Sequence, residues 1–354
     1  MAPEAITQAQ LNRATLARQG LLERERTGVV EAVERLGPLQ AQEARPPFLA
    51  LWSRVEGFRR ADLHAALHDR SVLRSTFLRA TLHLTSAADH VALRATLQPV
   101  LTRAAQSIMR ARSADFDPEM VLAAARRLLA EGPLTFNELR AHLVEAFPKV
   151  EERAMGYVVR MHLALAMVPT EDRWAFSSDS AFTPSEDWLG TQLAAPDPPT
   201  LVRSYLRAFG PAGAADLQAW SGLKGAKEVL QGMDDELVEF RAGRRAVFDL
   251  PDAPRPDGDV PAPPRLLPEF DTLVLAYKDR TRLVADEHRT ALVTKNLRIL
   301  ATFLVHGMVA GTWTLAAKKG ASAVELAPFG RLAQADRHAL EQEGDALARF
   351  VDED

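Results

Sequence analysis

Glycine followed by proline interrupts a helical pattern at three points in this 354-residue chain, namely Gly37-Pro38, Gly132-Pro133 and Gly210-Pro211. Proline does not continue a helix, and glycine takes the backbone conformations that commonly end one. Each interruption closes the first helix of a similar series of elements. The spacing therefore predicts three tandem copies of one small motif rather than a single helical bundle.

Each copy is predicted to contain helices followed by a β-hairpin, which is the order of elements in a winged helix. The hairpins are predicted at 72–85, 166–176 and 237–250. At these positions apolar and polar residues alternate, or short apolar runs flank a polar turn.

The second copy carries the clearest helix signals. A helix is predicted from Asp117 to Ala130. After the Gly-Pro interruption, Thr135 is expected to cap the next helix, with Glu138 in the capping-box position. A long helix from Ala87 to Arg112 is predicted to join the first copy to the second.

The chain changes character after a proline-rich stretch, which predicts a linker. Residues 266–330 alternate with a period of two, which indicates a small antiparallel, barrel-like β domain, and 333–350 form an amphipathic pattern typical of a helix. The sequence thus predicts an α+β protein, mostly α. Its units are a first winged helix at 1–112, a second at 113–196, a third at 197–250, the linker at 251–265, and the β domain with its C-terminal helix at 266–354.

Composition excludes several kinds of chemistry. The chain has no cysteine, so it has no disulfide, no thiolate nucleophile and no iron–sulfur cluster. His64 and His68 have i, i+4 spacing, which a solvated helix face explains better than a metal site, so no metal or cofactor site is predicted. The sequence shows neither a secretory signal nor an apolar run of about 20 residues, and we expect a cytoplasmic protein without a membrane partner.

The formal net charge of −4 by itself argues against nucleic-acid binding. The charge is unevenly distributed, however. Residues 1–112 contain 16 arginines and 10 acidic residues, which gives +6, and the remainder of the chain carries −10. This asymmetry predicts one surface that faces a polyanion, contributed by the N-terminal third.

Residues 36–55, LGPLQAQEARPPFLALWSRV, resemble the winged-helix DNA glycosylases of the AlkZ/YcaQ type, which are bacterial proteins. Stretches at 79–85, 206–223, 266–280 and 309–313 support the resemblance in the expected order. The resemblance implies a monofunctional DNA glycosylase without cofactors, which removes N7-alkylated purines from duplex DNA. It also implies base excision repair or self-resistance to a genotoxin, an association with the nucleoid, and a monomer.

The catalytic Gln-x-Gln of that family falls on Gln40 and Gln42. One branch of the family has aspartate at the second position, so Gln42 aligns this chain with the branch that acts on crosslinks or bulky adducts. After the Gly-Pro interruption the segment is expected to be extended, and alternate side chains of an extended segment share one side. The two amides are thus expected to converge on one point, where they would place a water and face the sugar cation. The alternative is a pair of loop glutamines that cap the next helix.

Other polar side chains are candidate supporting residues. Three of them lie on one face of a predicted strand: Arg79, Thr81 and His83. This face either contacts DNA or is an ordinary solvated face. Arginines near the helix after the motif are candidate phosphate contacts: Arg54, Arg59 and Arg60. Two carboxylates are a possible base or electrostatic partner, or hydrogen-bond acceptors at a hairpin end: Glu269 and Asp271.

Two other classes of function fit the same predicted fold. A transcriptional regulator would use winged helices to recognise a DNA sequence without breaking a bond. An interaction scaffold would use them to bind proteins, for which the acidic C-terminal two-thirds is the best support. A regulator should prefer its operator by about 10³-fold or more, whereas a glycosylase should bind undamaged duplex with little sequence preference.

Overall fold

Short helices and small sheets alternate along the chain in a computed structural model, which describes residues 3–112, 115–294, 298–318 and 320–353. The predicted boundary between the first two units adjoins residues 113 and 114, which lie outside the described residues. The helices of this part are α1 (Gln8–Arg18), α2 (Val29–Leu36), α3 (Pro46–Arg54), α4 (Arg60–His68), α5 (Ala87–Leu93), α6 (Gln98–Ala111), α7 (Pro118–Ala130), α8 (Phe136–Ala146), α9 (Glu152–His162), α10 (Ser185–Leu189), α11 (Pro198–Phe209), α12 (Ala214–Ser221), α13 (Ala226–Gln231), α14 (Thr272–Leu275) and α15 (Gln334–Asp352).

The strands form three sheets in the same described ranges. They are β1 (Glu4–Ala5), β2 (Leu39–Gln40), β3 (Val72–Thr76), β4 (Leu82–Ser86), β5 (Leu134–Thr135), β6 (Leu165–Met167), β7 (Ala181–Pro184), β8 (Val238–Ala242), β9 (Arg245–Asp249), β10 (Arg265–Leu267), β11 (Thr302–Val305), β12 (Met308–Lys318) and β13 (Ala321–Pro328).

The hairpins of the first and second copies belong to one six-stranded sheet, in the order β2-β4-β3-β6-β7-β5. Antiparallel pairing of Arg74 in β3 with Met167 in β6 joins the two halves. Helices α2, α3, α7, α8 and α9 bury their apolar faces in the core that this sheet shares. The two copies are therefore joined by backbone hydrogen bonds as well as by side-chain packing.

In the second copy, α7 and α8 begin where the sequence predicts. Asp117 caps α7, and Thr135 with Glu138 forms the expected capping box of α8. The predicted return strand at 174–176 is wrong, because β7 lies at Ala181–Pro184. Ala175 instead lies in a tight turn with a positive φ of 62°, in which Ala175 N–H donates to the carbonyl of Asp172 at 2.7 Å.

The predicted long helix from Ala87 to Arg112 is also wrong, since it is divided into α5 and α6. Pro99 lies in the first turn of α6, the place where a helix accepts proline without losing a hydrogen bond. Ser86 caps α5 by accepting a hydrogen bond from Asp89 N–H. The chain thus changes direction once more than the sequence predicts.

The third copy has α11, α12 and α13 followed by the β8-β9 hairpin, as the sequence predicts. Strand β1 adds to this hairpin in parallel, with Glu4 opposite Phe240. Helix α1 packs into the same core through Leu16. The N-terminal segment therefore contacts the third copy, more than 200 residues away in sequence.

The C-terminal region contains an open four-stranded antiparallel sheet in the order β10-β11-β12-β13, covered by α15. The described strands do not close into a barrel. The stretch at 271–284, which alternation assigns to strands, instead forms α14 and turns, because Asp271 caps the helix and Leu273 and Val274 are both buried. The helix predicted at 333–350 is confirmed as α15.

The proline-rich stretch at 251–265 is held to the rest of the protein by hydrogen bonds and an ion pair. Its Val260 carbonyl accepts a hydrogen bond from Arg13 of α1, and its Arg255 pairs with Asp249 at 2.7 Å. Asp249 also accepts two hydrogen bonds from the buried guanidinium of Arg18, both at 2.7 Å. None of the helices within the described ranges is long and apolar enough to cross a membrane.

We expect Asp249→Ala to lower the free energy of unfolding by about 3–5 kcal/mol, because Arg18 would stay buried without its carboxylate. Urea denaturation followed by circular dichroism measures this change. Glu56→Ala is the matched control, since it breaks the exposed Arg26–Glu56 pair, and it should leave the denaturation midpoint nearly unchanged. Equal midpoints for the two variants would contradict the assigned role of the buried pair.

Candidate functional site

The Gln-x-Gln segment begins in β2, an edge strand of the six-stranded sheet, and bends at Gln42. Gly37 ends α2 with φ 74° and ψ 179°, a conformation almost confined to glycine, and the chain then enters β2. Ala41 is buried, whereas Gln40 is half-buried and Gln42 exposed. The expected convergence of the two amides on one point stays a prediction.

Backbone hydrogen bonds and one arginine hold this segment in place. Ala41 N–H donates to the carbonyl of Leu82 at 2.8 Å. The guanidinium of Arg74 donates to the carbonyls of Ala41 at 2.8 Å and Gln42 at 3.1 Å. Burial lowers the pKa of Arg74 to about 10, and the nearby charge of Glu43 acts in the opposite direction. Arg74 thus remains a cation at neutral pH and orients the backbone of the motif.

Each glutamine oxygen accepts one hydrogen bond from the hairpin β3-β4. Arg79 Nη2 donates to Gln40 Oε1 at 3.3 Å, and Leu82 N–H donates to Gln42 Oε1 at 3.4 Å. A carboxamide oxygen has two lone pairs, so each retains one for a water or a ligand. The glutamines do not cap the next helix, α3, whose N-terminus has no side-chain cap.

The predicted polar strand face is wrong. Arg79 lies in the turn of the hairpin with φ 51°, not in a strand, and its Nη1 donates to the carbonyl of Trp220 at 2.6 Å. Thr81 precedes β4 and its hydroxyl donates to Leu78. His83 lies in β4 but is fully buried, with its Nδ1 3.0 Å from the carbonyl of Thr81. The turn residue Arg79 contacts the glutamine pair, whereas His83 belongs to the core beneath it.

The arginines around α3 have different surroundings. Arg54 is buried and pairs with Asp271 at 2.8 Å, and Arg60 is also buried, with its guanidinium 5.4 Å from the ring centre of Trp174. The prediction that these two contact phosphates does not fit their burial. Arg59 is exposed and pairs with Asp62 at 2.8 Å, so its guanidinium can be reached from solvent.

The two candidate carboxylates lie in one loop of the C-terminal region and have different partners. Glu269 contacts Arg45 at 3.5 Å and Arg298 at 2.8 Å, and Arg298 also reaches Glu43, which follows Gln42. This loop thus connects to the motif through ion pairs. Asp271 instead caps α14 and pairs with Arg54, so both of its contacts stabilise the fold.

A cavity of about 500 Å³ opens beside Gln42. Its walls combine apolar and aromatic side chains with two guanidinium groups: Leu82, Phe136, Met167, Phe176, Phe182, Arg74 and Arg160. Burial also lowers the pKa of Arg160. Neither arginine is among the site residues predicted from the sequence. Arg74 could have been found, because it is a single arginine within the otherwise uncharged strand pattern VLRST. Among the described residues, no group of three His, Asp or Glu side chains could hold a metal ion.

A family model of AlkZ-like DNA glycosylases matches residues 33–350. The chain therefore belongs to the AlkZ-like DNA glycosylase family and is a hydrolase that acts on N-glycosyl bonds in DNA. It is 27% identical over 363 residues to the interstrand DNA cross-link repair glycosylase of Streptomyces sahachiroi, with 94% of each sequence covered. Its fold matches the structure of Streptomyces sahachiroi DNA glycosylase AlkZ with a TM-score of 0.81 at 23% identity, covering 98% of this chain and 97% of the other.

Buried His83 makes stability depend on pH. Burial, together with the nearby charge of Arg79, lowers its pKa to about 3, whereas a histidine in an unfolded chain titrates near 6.5. The unfolded chain therefore binds the proton first as the pH falls. The stabilising contribution is present above about pH 6.5 and is lost as the pH falls toward 3.

We expect the free energy of unfolding to fall by up to about 1.4 kcal/mol per pH unit from this group between pH 6 and 4. Urea denaturation at several pH values measures the slope. His83→Asn should give a shallower slope than the wild-type protein. The control His338→Asn changes an exposed histidine on α15 and should keep the wild-type slope. A wild-type slope in His83→Asn would contradict the assignment.

Proposed function

We propose that this glycosylase removes N7-alkylated purines from duplex DNA and that Gln40 and Gln42 are its catalytic residues. The observation that carries the proposal is that both amides lie beside the β3-β4 hairpin, where each oxygen accepts one hydrogen bond and keeps one lone pair available.

The proposed substrate follows from the chemistry of amides. A carboxamide cannot act as a general base at neutral pH, so a glutamine pair is poorly suited to release a neutral base. An N7-alkylguanine already carries a positive charge. When its N9–C1′ bond breaks, the bonding electrons neutralise the purine, and no acid is needed to protonate the leaving group.

The remaining task is to stabilise the sugar, which resembles an oxocarbenium ion in the transition state. The two amide oxygens are fixed dipoles that can face this charge and hold the attacking water. The water adds to C1′ and loses its proton to solvent, which leaves an abasic site and a free purine. Arg74 and Arg79 serve as positioning residues, because they hold the motif's backbone and the Gln40 amide.

We further propose that this protein acts on bulky adducts and on interstrand crosslinks, the latter as the name of the Streptomyces sahachiroi interstrand DNA cross-link repair glycosylase states for that protein. The cavity beside Gln42 supports this part, since about 500 Å³ is ample for an adduct larger than a methyl group. A crosslinked base cannot leave the duplex freely. A site at a sheet edge, reached from the surface, suits such a substrate better than a closed pocket.

The duplex is proposed to lie across the three copies of the repeated motif, each acting as a winged helix. In the second copy the order α7-β5-α8-α9-β6-β7 supports this assignment. In the third copy α11, α12 and α13 with β8 and β9 support it. A sequence-specific regulator is not favoured, since the family match spans most of the chain and is to enzymes.

The first prediction concerns the glutamine pair. Gln40→Ala and Gln42→Ala should each lower the single-turnover rate of N7-methylguanine release by about 10²-fold, as loss of one fixed dipole does in other active sites. Chromatography of released base measures the rate. Gln334→Ala, at an exposed position on α15, is the matched control and should keep the wild-type rate. A wild-type rate of base release by the double variant, Gln40→Ala with Gln42→Ala, would contradict the assigned role of the glutamines.

The second prediction concerns charge in the leaving group. Duplexes that contain one N7-methylguanine, one bulky N7 adduct or one N7-linked crosslink should release base, whereas a duplex with uracil, a neutral base, should not. Alkaline cleavage of the abasic product on a denaturing gel measures each reaction. Release of uracil at a rate comparable to that of N7-methylguanine would refute the proposed chemistry.

A further inference from the structure

Arg79, which contacts Gln40, also lines a second cavity. This cavity has a volume of about 380 Å³ and lies between the β3-β4 turn, α12 and the segment after α14. Its lining contains four cationic side chains: Arg79, Lys278, Arg280 and Arg289. Three of them come from a stretch of the C-terminal region that the sequence analysis did not single out for charge.

The four cations are barely compensated by acids. Arg289 pairs with Asp286 at 3.0 Å. In the part of the chain that the structure describes, no carboxylate pairs with Arg79, Lys278 or Arg280. The protein thus concentrates like charges around one concave surface.

The charges also act on one another. Burial lowers the pKa of Arg79 to about 10, and the charge of Arg280 contributes to this. Burial lowers the pKa of Arg280 as well, with a contribution from Arg289. The guanidinium groups of Arg79 and Arg280 repel each other and have no carboxylate partner among the described residues, so a bound anion would relieve this repulsion.

The cavity continues into a groove of suitable shape for a polyanion. It shares Ala219 and Lys278 with a neighbouring concavity of about 570 Å³ along α12, which also contains Lys227 and Glu228. A single small anion would fill only the cavity that contains Arg79. A DNA strand with several phosphates would occupy both this cavity and the concavity along α12.

We propose that the cavity formed by Arg79, Lys278, Arg280 and Arg289 binds a backbone phosphate of the DNA strand near the damaged nucleotide. This inference rests on the proposed function, since it takes duplex DNA as the substrate. Arg79 donates to Gln40 Oε1 through Nη2 and lines the cavity with the same guanidinium. Phosphate binding would therefore fix the guanidinium that orients the first catalytic amide, and Arg79 is a positioning residue that links DNA binding to the glutamine pair.

The first test measures binding of an undamaged duplex by fluorescence anisotropy at several salt concentrations. Arg280→Gln and Lys278→Gln should each weaken binding and reduce the slope of log affinity against log salt by about one. Arg337→Gln, an exposed arginine on α15, removes the same charge elsewhere and should keep the wild-type slope. Slopes equal to the wild-type value in both cavity variants would overturn the proposal. Within the described ranges, the side chains of Arg280 and Lys278 make no hydrogen bond or ion pair, so both variants should fold.

The second test locates the phosphate. In a duplex with a stable abasic analogue, single phosphates are replaced in turn by neutral methylphosphonates. At one position, the methylphosphonate should weaken wild-type binding about as much as Arg280→Gln does. The variant Arg280→Gln should then lose little further binding free energy when it binds the duplex that carries this methylphosphonate. Additive losses at every position would overturn the assignment of the cavity to a phosphate.

The third test addresses Arg79. Arg79→Gln should lower the single-turnover rate of base release at saturating enzyme, whereas the control Arg337→Gln, at an exposed position on α15, should keep the wild-type rate. A saturated rate in Arg79→Gln equal to wild type would overturn the link to Gln40. The binding tests do not require base release, so failure of the proposed activity and failure of the phosphate site give different results.

Discussion

The site depends on the pairing of a two-residue strand, β2, with the edge of a hairpin. Leu39 lies opposite Leu84 and Gln40 opposite His83, and Arg74 fixes the next two carbonyls. Because side chains of a strand alternate, a shift of one residue would move Gln40 to the opposite face of the sheet. Gly37 before the strand and Arg74, which holds the carbonyls of Ala41 and Gln42, oppose that shift. The position of Gln40 is thus set by backbone register.

Features encoded within a few residues could be predicted from the sequence. The Gly-Pro interruptions end α2, α7 and α11 near the expected positions, and Thr135 with Glu138 caps α8. The extended conformation at Gln40 after the Gly-Pro interruption also follows from local rules. The winged-helix assignment, the unit boundaries and the roles of the glutamines stay predictions.

Features that depend on distant partners could not be predicted. The charge of +6 on residues 1–112 suggested a basic surface, yet Arg18, Arg54 and Arg74 are buried and hold the fold or the motif together. The carboxylate that pairs with Arg54 belongs to Asp271, which lies 217 residues away in sequence. Lys278 and Arg280, which pair with no carboxylate among the described residues, lie in the part of the chain with net negative charge. Local charge counts do not say which side chains will be buried.

Helix α1 has a consequence for how the protein is made. Its Asn12 donates to the carbonyls of Arg282 and Gly307, and its Arg18 pairs with Asp249. Translation at about 5–20 residues per second delivers these partners roughly 15–60 s after α1 itself leaves the ribosome. During that interval the six-stranded sheet can assemble while the apolar side of α1 stays exposed. The N-terminal helix is thus among the last elements to dock, and a chain released early would present an unpaired apolar helix to chaperones and proteases.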